Sequence, residues 1–300
     1  MRKTSADRYH GGSFQEEIAA LTSLAMGGRF RAGNSTRRFE PGGDPRGRPI
    51  VSGSRRMAPT LIRELHFRWR LPSAVEGEHS LDSLEILSRL PTLRPDLAVS
   101  LVRAARLYQD SLWLIESEPS LAWLMLVSAV ETAANPWQTE KGDPLDRMRE
   151  SRPELTDYLE RIGPEVAVQV ATQIADSLGT SKKFKDFIMR FLPPEPPVRP
   201  PDTFQFSWKE PEIRKALGQI YNFRSAALHD GKPFPEPMCG FPHKLDSDWP
   251  TWSEKPLGLA MGSPVAVWVA KDVPMLFCLF EYISRQALLR WWREGAPQQD

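Results

Sequence analysis

An arginine and a histidine lie five residues apart near the end of a helical pattern in the last third of the chain. The run YNFRSAALHDG at residues 221–231 contains Arg224 and His229, separated by four small or apolar residues. A guanidinium group can hold a phosphate through two parallel hydrogen bonds. An imidazole exchanges a proton near neutral pH. The pair is therefore suited to phosphodiester chemistry that needs no metal ion.

The spacing of the pair predicts that one helix alone gives a poor site. On an ideal α-helix, five residues correspond to a rotation of about 140°. The two side chains would then lie on different faces of the same helix. If Arg224 and His229 perform chemistry, either the terminal turn of the helix loosens or a second copy of the chain supplies the missing half of the site. We favour the second copy, which predicts a homodimer.

The same residues also permit a structural interpretation. His229 can stabilise the negative end of the helix dipole, and Arg224 can pair with Glu131. Glu131 lies at the end of an apolar run, and a buried carboxylate needs a partner. Asn222 and Ser225 flank Arg224 and can bond a phosphate or a partner subunit, or simply lie on the helix surface. Both interpretations remain open from the sequence.

A short basic run precedes this helix. Lys182, Lys183 and Lys185 are interspersed with Phe184 and Phe187. Positive charge beside aromatic rings is a pattern that single-stranded nucleic acid can follow. The alternative is an ordinary helix with its lysines in solvent. The three lysines are candidate RNA-binding residues on the first interpretation.

Helical periodicity dominates the chain and predicts a mainly α fold. Apolar residues recur at three- and four-residue steps, prolines precede several of these segments, and glycines follow them. One segment is apolar on all sides, which predicts a buried central helix. It is Leu121–Ala134. The other predicted helices are Phe14–Met26, Leu97–Glu116, Pro144–Ile162, Pro164–Leu178, Ser181–Leu192, Glu210–His229 and Val273–Arg293.

Two parts of the chain are less regular. Residues 1–75 form a predicted basic segment, with a helix followed by a loop rich in Gly, Pro and Arg. Residues 1–70 contain 14 Lys/Arg and 6 Asp/Glu, a net charge of +8, although the whole chain is only +1. This segment can contact nucleic acid or dock on the acidic remainder. Residues 232–270 form a predicted irregular insert, with a possible strand at Val265–Val269.

Several function classes find no support in the sequence. Cys239 and Cys278 form no metal motif or disulfide framework, and the histidines have no ligand spacing. Phosphate-loop, Rossmann and nucleophile-elbow patterns are missing, so we expect no cofactor and no metal. No apolar run is long enough to cross a bilayer. A soluble, cytoplasmic protein is therefore the expectation.

The helical region, residues 95–295, resembles the HEPN superfamily, and most closely the Apea-like HEPN group. The resemblance depends on three segments: RSAALH at residues 224–229, which fits the family's pattern of Arg and His separated by four to six residues; LMLVSAVE at residues 124–131, similar to an upstream apolar run that ends in Ala-x-Glu; and SKKFKDFI at residues 181–188, which lies between them.

The resemblance implies a helical bundle that pairs as a homodimer. In such dimers the Arg and His of each subunit line a shared cleft, which here would contain Arg224 and His229. Active members are metal-independent ribonucleases found in toxin–antitoxin and antiviral defence systems. The resemblance thus implies RNA as substrate and an antitoxin or another defence protein as a possible partner. Other members bind without cutting, or act as scaffolds, and that is the alternative function.

Overall fold

The fold is mainly α-helical. The computed structural model describes residues 12–33, 42–43, 46, 69–75, 78–137, 143–174, 179–244, 252–256, 260–263 and 266–295. These residues form nine α-helices: α1 Phe14–Met26, α2 Pro95–Leu114, α3 Pro119–Trp137, α4 Pro144–Ser151, α5 Pro153–Ile162, α6 Pro164–Gln173, α7 Thr180–Arg190, α8 Glu210–His229 and α9 Phe277–Gly295. They also form a two-stranded antiparallel sheet, β1 Ala260–Ser263 and β2 Ala266–Trp268.

Helix α1 has the bounds that the sequence predicts. Ser13 and Glu16 form a reciprocal capping box, in which each side chain accepts a hydrogen bond from the other residue's backbone N–H. Gly27 ends the helix with a left-handed φ of 75°. The helix packs against α2 and α9. The division into a segment at residues 1–75 and a domain at 95–295 stays a prediction.

Helix α3 is the central helix, as its uniformly apolar sequence predicts. It contacts α2, α7, α8 and α9, and fully buried alanines such as Ala129 and Ala133 let its neighbours approach closely. The predicted end before Pro136 is wrong, because the helix continues to Trp137. A proline in the last turn removes only one helical hydrogen bond, and the Trp137 ring packs against Phe187 and Phe191.

The helix predicted over Pro144–Ile162 is in fact two helices. Arg152 separates α4 from α5 with φ −144° and ψ 63°. The cause is Pro153, which disfavours a helical conformation in the residue before it but is well suited to the first position of a new helix. Together with α6, these helices enclose a small core of their own, formed by Met148, Ala167 and Ala171.

Several other predicted helix bounds shift, mostly by one or two residues. Helix α2 begins at Pro95, two residues earlier than predicted. Helix α6 ends at Gln173, whereas the predicted end is Leu178; residues 175–178 lie outside the described residues. The predicted start of the last helix at Val273 is wrong. The backbone N–H of Leu276 donates to the carbonyl of Glu254 instead, so α9 begins only at Phe277.

The insert at residues 232–270 contributes to the core. Its predicted strand is confirmed as β2, and a 3₁₀ turn occupies Glu236–Cys239. Phe234 and Met238 are buried within the main core. A second 3₁₀ segment, Leu81–Thr92, packs against α1 and has no counterpart in the sequence prediction. Most of the predicted Gly/Pro/Arg-rich loop lies outside the described residues. Among the described helices, none combines the length and hydrophobicity needed to cross a bilayer.

Candidate functional site

Arg224 lies on α8 and faces Glu131 on the central helix. The Arg224 Nη2 atom is 2.6 Å from Glu131 Oε2, and the two side chains are 20% and 15% exposed. The contact that the sequence suggested between these residues is therefore present. Helix α8 has its predicted bounds, Glu210–His229, and Gly231 follows it with a left-handed φ of 66°. The arginine is thus positioned by a well-defined helix.

The ion pair is partly removed from water. Burial raises the pKa of Glu131, and the positive charge of Arg224 offsets part of that rise. The Arg224 guanidinium also lies over the Tyr221 ring, 5.7 Å from its centroid. Tyr221 in turn donates its hydroxyl proton to Thr180 Oγ1 at 2.8 Å. These contacts hold the guanidinium in one orientation, with its Nε atom buried and without an acceptor among the described residues.

An open cleft of about 360 Å³ surrounds the ion pair, between α3, α7 and α8. Lys183 and Thr180 line its α7 side, and Arg224 and Tyr221 line its α8 side. The positive groups at this cleft are Lys183 and Arg224, partly offset by Glu131. The cleft can therefore receive an anion if Lys183 and the outer part of the guanidinium face it together.

The α3 side of this cleft was not predicted from the sequence, apart from Glu131. The α3 side presents Ser128, Thr132 and Asn135 beside Glu131. These four polar residues occur at positions i, i+3, i+4 and i+7, which places them on one face of a helix. A polar stripe on an otherwise apolar helix was the signal available in the sequence. Together they extend the candidate site from one carboxylate to a polar wall.

The structure does not bring all of the predicted site residues together. His229 is the last residue of α8, and its side chain is exposed to solvent and does not line the cleft. Asn222 is exposed and Ser225 is half-buried, and neither lines the cleft. The separation of Arg224 and His229 within one chain agrees with the rotation expected from a five-residue step.

The basic run on α7 is also divided. Lys183 lines the cleft, whereas Lys182 and Lys185 do not. Lys182 is exposed, and Lys185 is half-buried beside Asp186 in sequence. A nucleic acid held by all three lysines would therefore have to pass from the cleft onto the outer surface of α7.

The described residues contain no group of three or more His, Cys, Asp or Glu side chains that could hold a metal ion. Both cysteines lie in environments that disfavour ionisation. Burial raises the pKa of Cys239 to about 12 and that of Cys278 to about 12. The thiolate is the nucleophilic form of cysteine, so neither residue is suited to nucleophilic catalysis.

We expect both thiols to resist alkylation in the folded protein. With a pKa near 12, only about one thiol in ten thousand is ionised at pH 8, against roughly a quarter for a free cysteine. Iodoacetamide labelling at pH 8, followed by mass spectrometry, measures this difference. The same protein in guanidinium chloride serves as the control and should be labelled at both positions. Equal labelling rates in the folded and unfolded states would contradict the prediction.

Comparisons with protein-family models, curated proteins and solved structures found no match to this chain. The relation to HEPN proteins stays a proposal. It depends on Arg224 and His229 at the end of α8 and on the setting of that helix beside α3 and Glu131.

Proposed function

We propose that this chain is a HEPN-type endoribonuclease that cuts RNA as a homodimer without a metal ion. The observation that supports it best is the distribution of the two residues along α8. The helix delivers Arg224 to an open polar cleft and leaves His229 exposed at its end. In a dimer that joins the ends of two such helices, His229 of one copy completes the cleft of the other.

The proposed reaction is an internal transfer at phosphorus. The His229 imidazole accepts the proton of an RNA 2′-hydroxyl. The 2′-oxygen forms a bond to phosphorus while the bond from phosphorus to the 5′-oxygen breaks, and the leaving oxygen takes a proton from water. The protonated His229 then returns its proton to the solvent. Arg224 stabilises the negative charge that develops on the phosphoryl oxygens. The products are a 2′,3′-cyclic phosphate and a 5′-hydroxyl end.

RNA cleavage in the presence of EDTA tests this function. The purified full chain is incubated with a mixture of cellular RNAs, and the ends of the fragments are mapped. We expect the fragments to end in a 2′,3′-cyclic phosphate. We also expect the rate of cleavage to be the same with and without EDTA. Loss of all cleavage when EDTA is added, or fragments that carry a 5′-phosphate, would contradict the proposal. A role in a defence system, with an antitoxin as partner, belongs to the same proposal.

A second candidate function is a HEPN-type binding or scaffold module that does not cut RNA. The short ion pair favours it, because Glu131 already occupies one prong of the guanidinium, Nη2. Arg224 is then a structural residue that neutralises a partly buried carboxylate. The cleft, with Lys183 and the polar side of α3, would bind its ligand without chemistry.

For this second candidate, we expect Arg224→Ala to lower the free energy of unfolding by about 1–3 kcal/mol. The reason is that the substitution leaves the partly buried Glu131 without its partner. Urea denaturation of the wild type and the variant measures the change. The matched control is Arg214→Ala on the same helix, because its pairs with Asp186 and Glu210 are exposed and should contribute under about 1 kcal/mol. An unchanged stability of Arg224→Ala would count against the structural role.

A further inference from the structure

A second cavity lies beside the last helix, α9. It has a volume of about 280 Å³ and shares no lining residue with the Arg224 cleft. Its walls are the end of α1, the proline-rich segment at residues 193–201, the loop at Trp252 and one side of α9. We call it the α9 cavity. Its volume is near the lower limit of small-molecule sites, about 300–1,000 Å³.

A buried carboxylate faces the α9 cavity. Glu281 lines the cavity and is only 6% exposed. Its Oε1 atom accepts a hydrogen bond from the Tyr108 hydroxyl at 2.5 Å, whereas Oε2 bonds to no described residue. Burial raises the pKa of Glu281, and the charge of Arg285 and the hydrogen bond from Tyr108 offset part of that rise. A buried carboxylate with one unused oxygen is the kind of group that a ligand can satisfy.

A guanidinium group lies one helical turn further along α9. Arg285 donates from Nε to the carbonyl of Leu24 at 2.9 Å and from Nη2 to that of Ala25 at 2.6 Å. These bonds fix the guanidinium against the end of α1 and leave Nη1 without an acceptor among the described residues. Gly27 makes room for it, because a Cβ atom there would lie 3.0 Å from Arg285 Cζ.

The two charges influence each other without forming a direct ion pair. Arg285 lowers the pKa of Glu281 through its charge, yet no salt bridge joins these two described residues. The other acid at the cavity, Glu254, is neutralised by Arg199, which donates to both of its carboxylate oxygens. His79 also lines the cavity and is exposed at its edge. His79 lowers the pKa of Glu281 as well. Among the carboxylates and arginines that line the cavity, Glu281 and Arg285 are therefore the two without a charged partner in a described salt bridge.

We propose that the α9 cavity binds an α-amino acid with an apolar side chain. The ammonium group of the ligand would donate to Glu281 Oε2, and its carboxylate would accept from Arg285 Nη1. The apolar side chain would pack against Trp252, Leu279 and Tyr282, which line the same cavity. Only a ligand with both charges satisfies both free groups. The proposal is independent of the proposed ribonuclease function, because the two sites share no residue.

Calorimetric titration of the full chain with four probes tests the proposal. L-phenylalanine and L-leucine have both charges, phenethylamine lacks the carboxylate, and 3-phenylpropionate lacks the ammonium group. We expect at least one of the amino acids to bind, with phenethylamine and 3-phenylpropionate at least tenfold weaker than L-phenylalanine or undetectable. Failure of both amino acids to bind would overturn the proposal. If L-phenylalanine binds measurably, equal affinity for either single-charge analogue would overturn the proposal as well.

A matched pair of variants assigns the binding to this cavity. Glu281→Gln retains an oxygen that can accept the Tyr108 hydrogen bond but removes the negative charge, so we expect the amino acid affinity to fall at least tenfold. Glu294→Gln is the control, because Glu294 is an exposed residue of the same helix paired with Arg190. Its affinity should equal that of the wild type. Unchanged binding in Glu281→Gln would overturn the assignment of the ligand to the α9 cavity. The comparison of the four probes uses only the wild type, so it does not depend on how well the variant folds.

Discussion

Replacing His229 with alanine is expected to lower the rate of RNA cleavage by about 100–10,000-fold. The imidazole is the group proposed to remove the proton from the 2′-hydroxyl, and the run at 225–230 contains no second histidine that could replace it. The side chain is exposed at the end of α8. Its removal should therefore change activity while stability stays close to that of the wild type.

The measurement is the initial rate of RNA cleavage in EDTA, with an unfolding curve for each protein. The control is Glu212→Ala, which removes another exposed side chain from the same helix at a distance from the cleft. It should cut RNA at the wild-type rate. Equal activity of the wild type and His229→Ala would contradict the ribonuclease proposal, as would no cleavage by the wild type with its cognate RNA and any activator present.

A mixture of two impaired variants examines the proposed exchange between subunits. Arg224→Lys keeps a positive charge beside Glu131 but loses the planar fork that suits phosphate. When it is mixed and refolded with His229→Ala, some dimers contain an intact Arg224 and an intact His229 on opposite chains. If these residues act across the interface, we expect the mixture to recover part of the wild-type rate. No recovery in verified mixed dimers would contradict the proposal that the two residues act across the interface.

Local signals explain why α8 was predicted correctly. Pro211 lies in its first turn, acidic residues accompany it there, and Gly231 follows the last turn with the left-handed backbone that ends helices. The Arg224–Glu131 contact was also accessible from the sequence, because a carboxylate at the end of a buried helix requires a cation. The homodimer has no such local signal beyond the five-residue step, and it stays a prediction.

The errors occur where local rules compete with packing. Asn135-Pro136 is a sound helix-ending signal, yet Trp137 remains helical because its ring packs against two phenylalanines of the α7 region. The break at Pro153 was a local signal that the periodicity on both sides obscured. Lys183 lines the cleft and Lys182 does not. This difference follows from how α7 packs against α3 and α8, and such packing cannot be predicted from one sequence alone.

The largest expected loss of stability is at Trp123. We expect Trp123→Ala to reduce the free energy of unfolding by about 3–5 kcal/mol, a large part of the roughly 5–15 kcal/mol typical of a domain. The indole is fully buried on α3. It stacks on Phe234 and Phe280 and meets Phe277 edge to face. One side chain thus joins the central helix, the insert and the last helix.

Trp123→Phe separates the packing of the ring from its hydrogen bond. Trp123 Nε1 donates to the carbonyl of Met238 at 3.2 Å, and phenylalanine keeps an aromatic ring but lacks this donor. We expect it to lose less than the alanine variant, since it leaves a smaller cavity and one unpaired carbonyl. Urea denaturation of the three proteins gives the order. If Trp123→Ala cost under about 1 kcal/mol, the insert would not be anchored through this ring, and the burial of Phe234 and Met238 would need another cause.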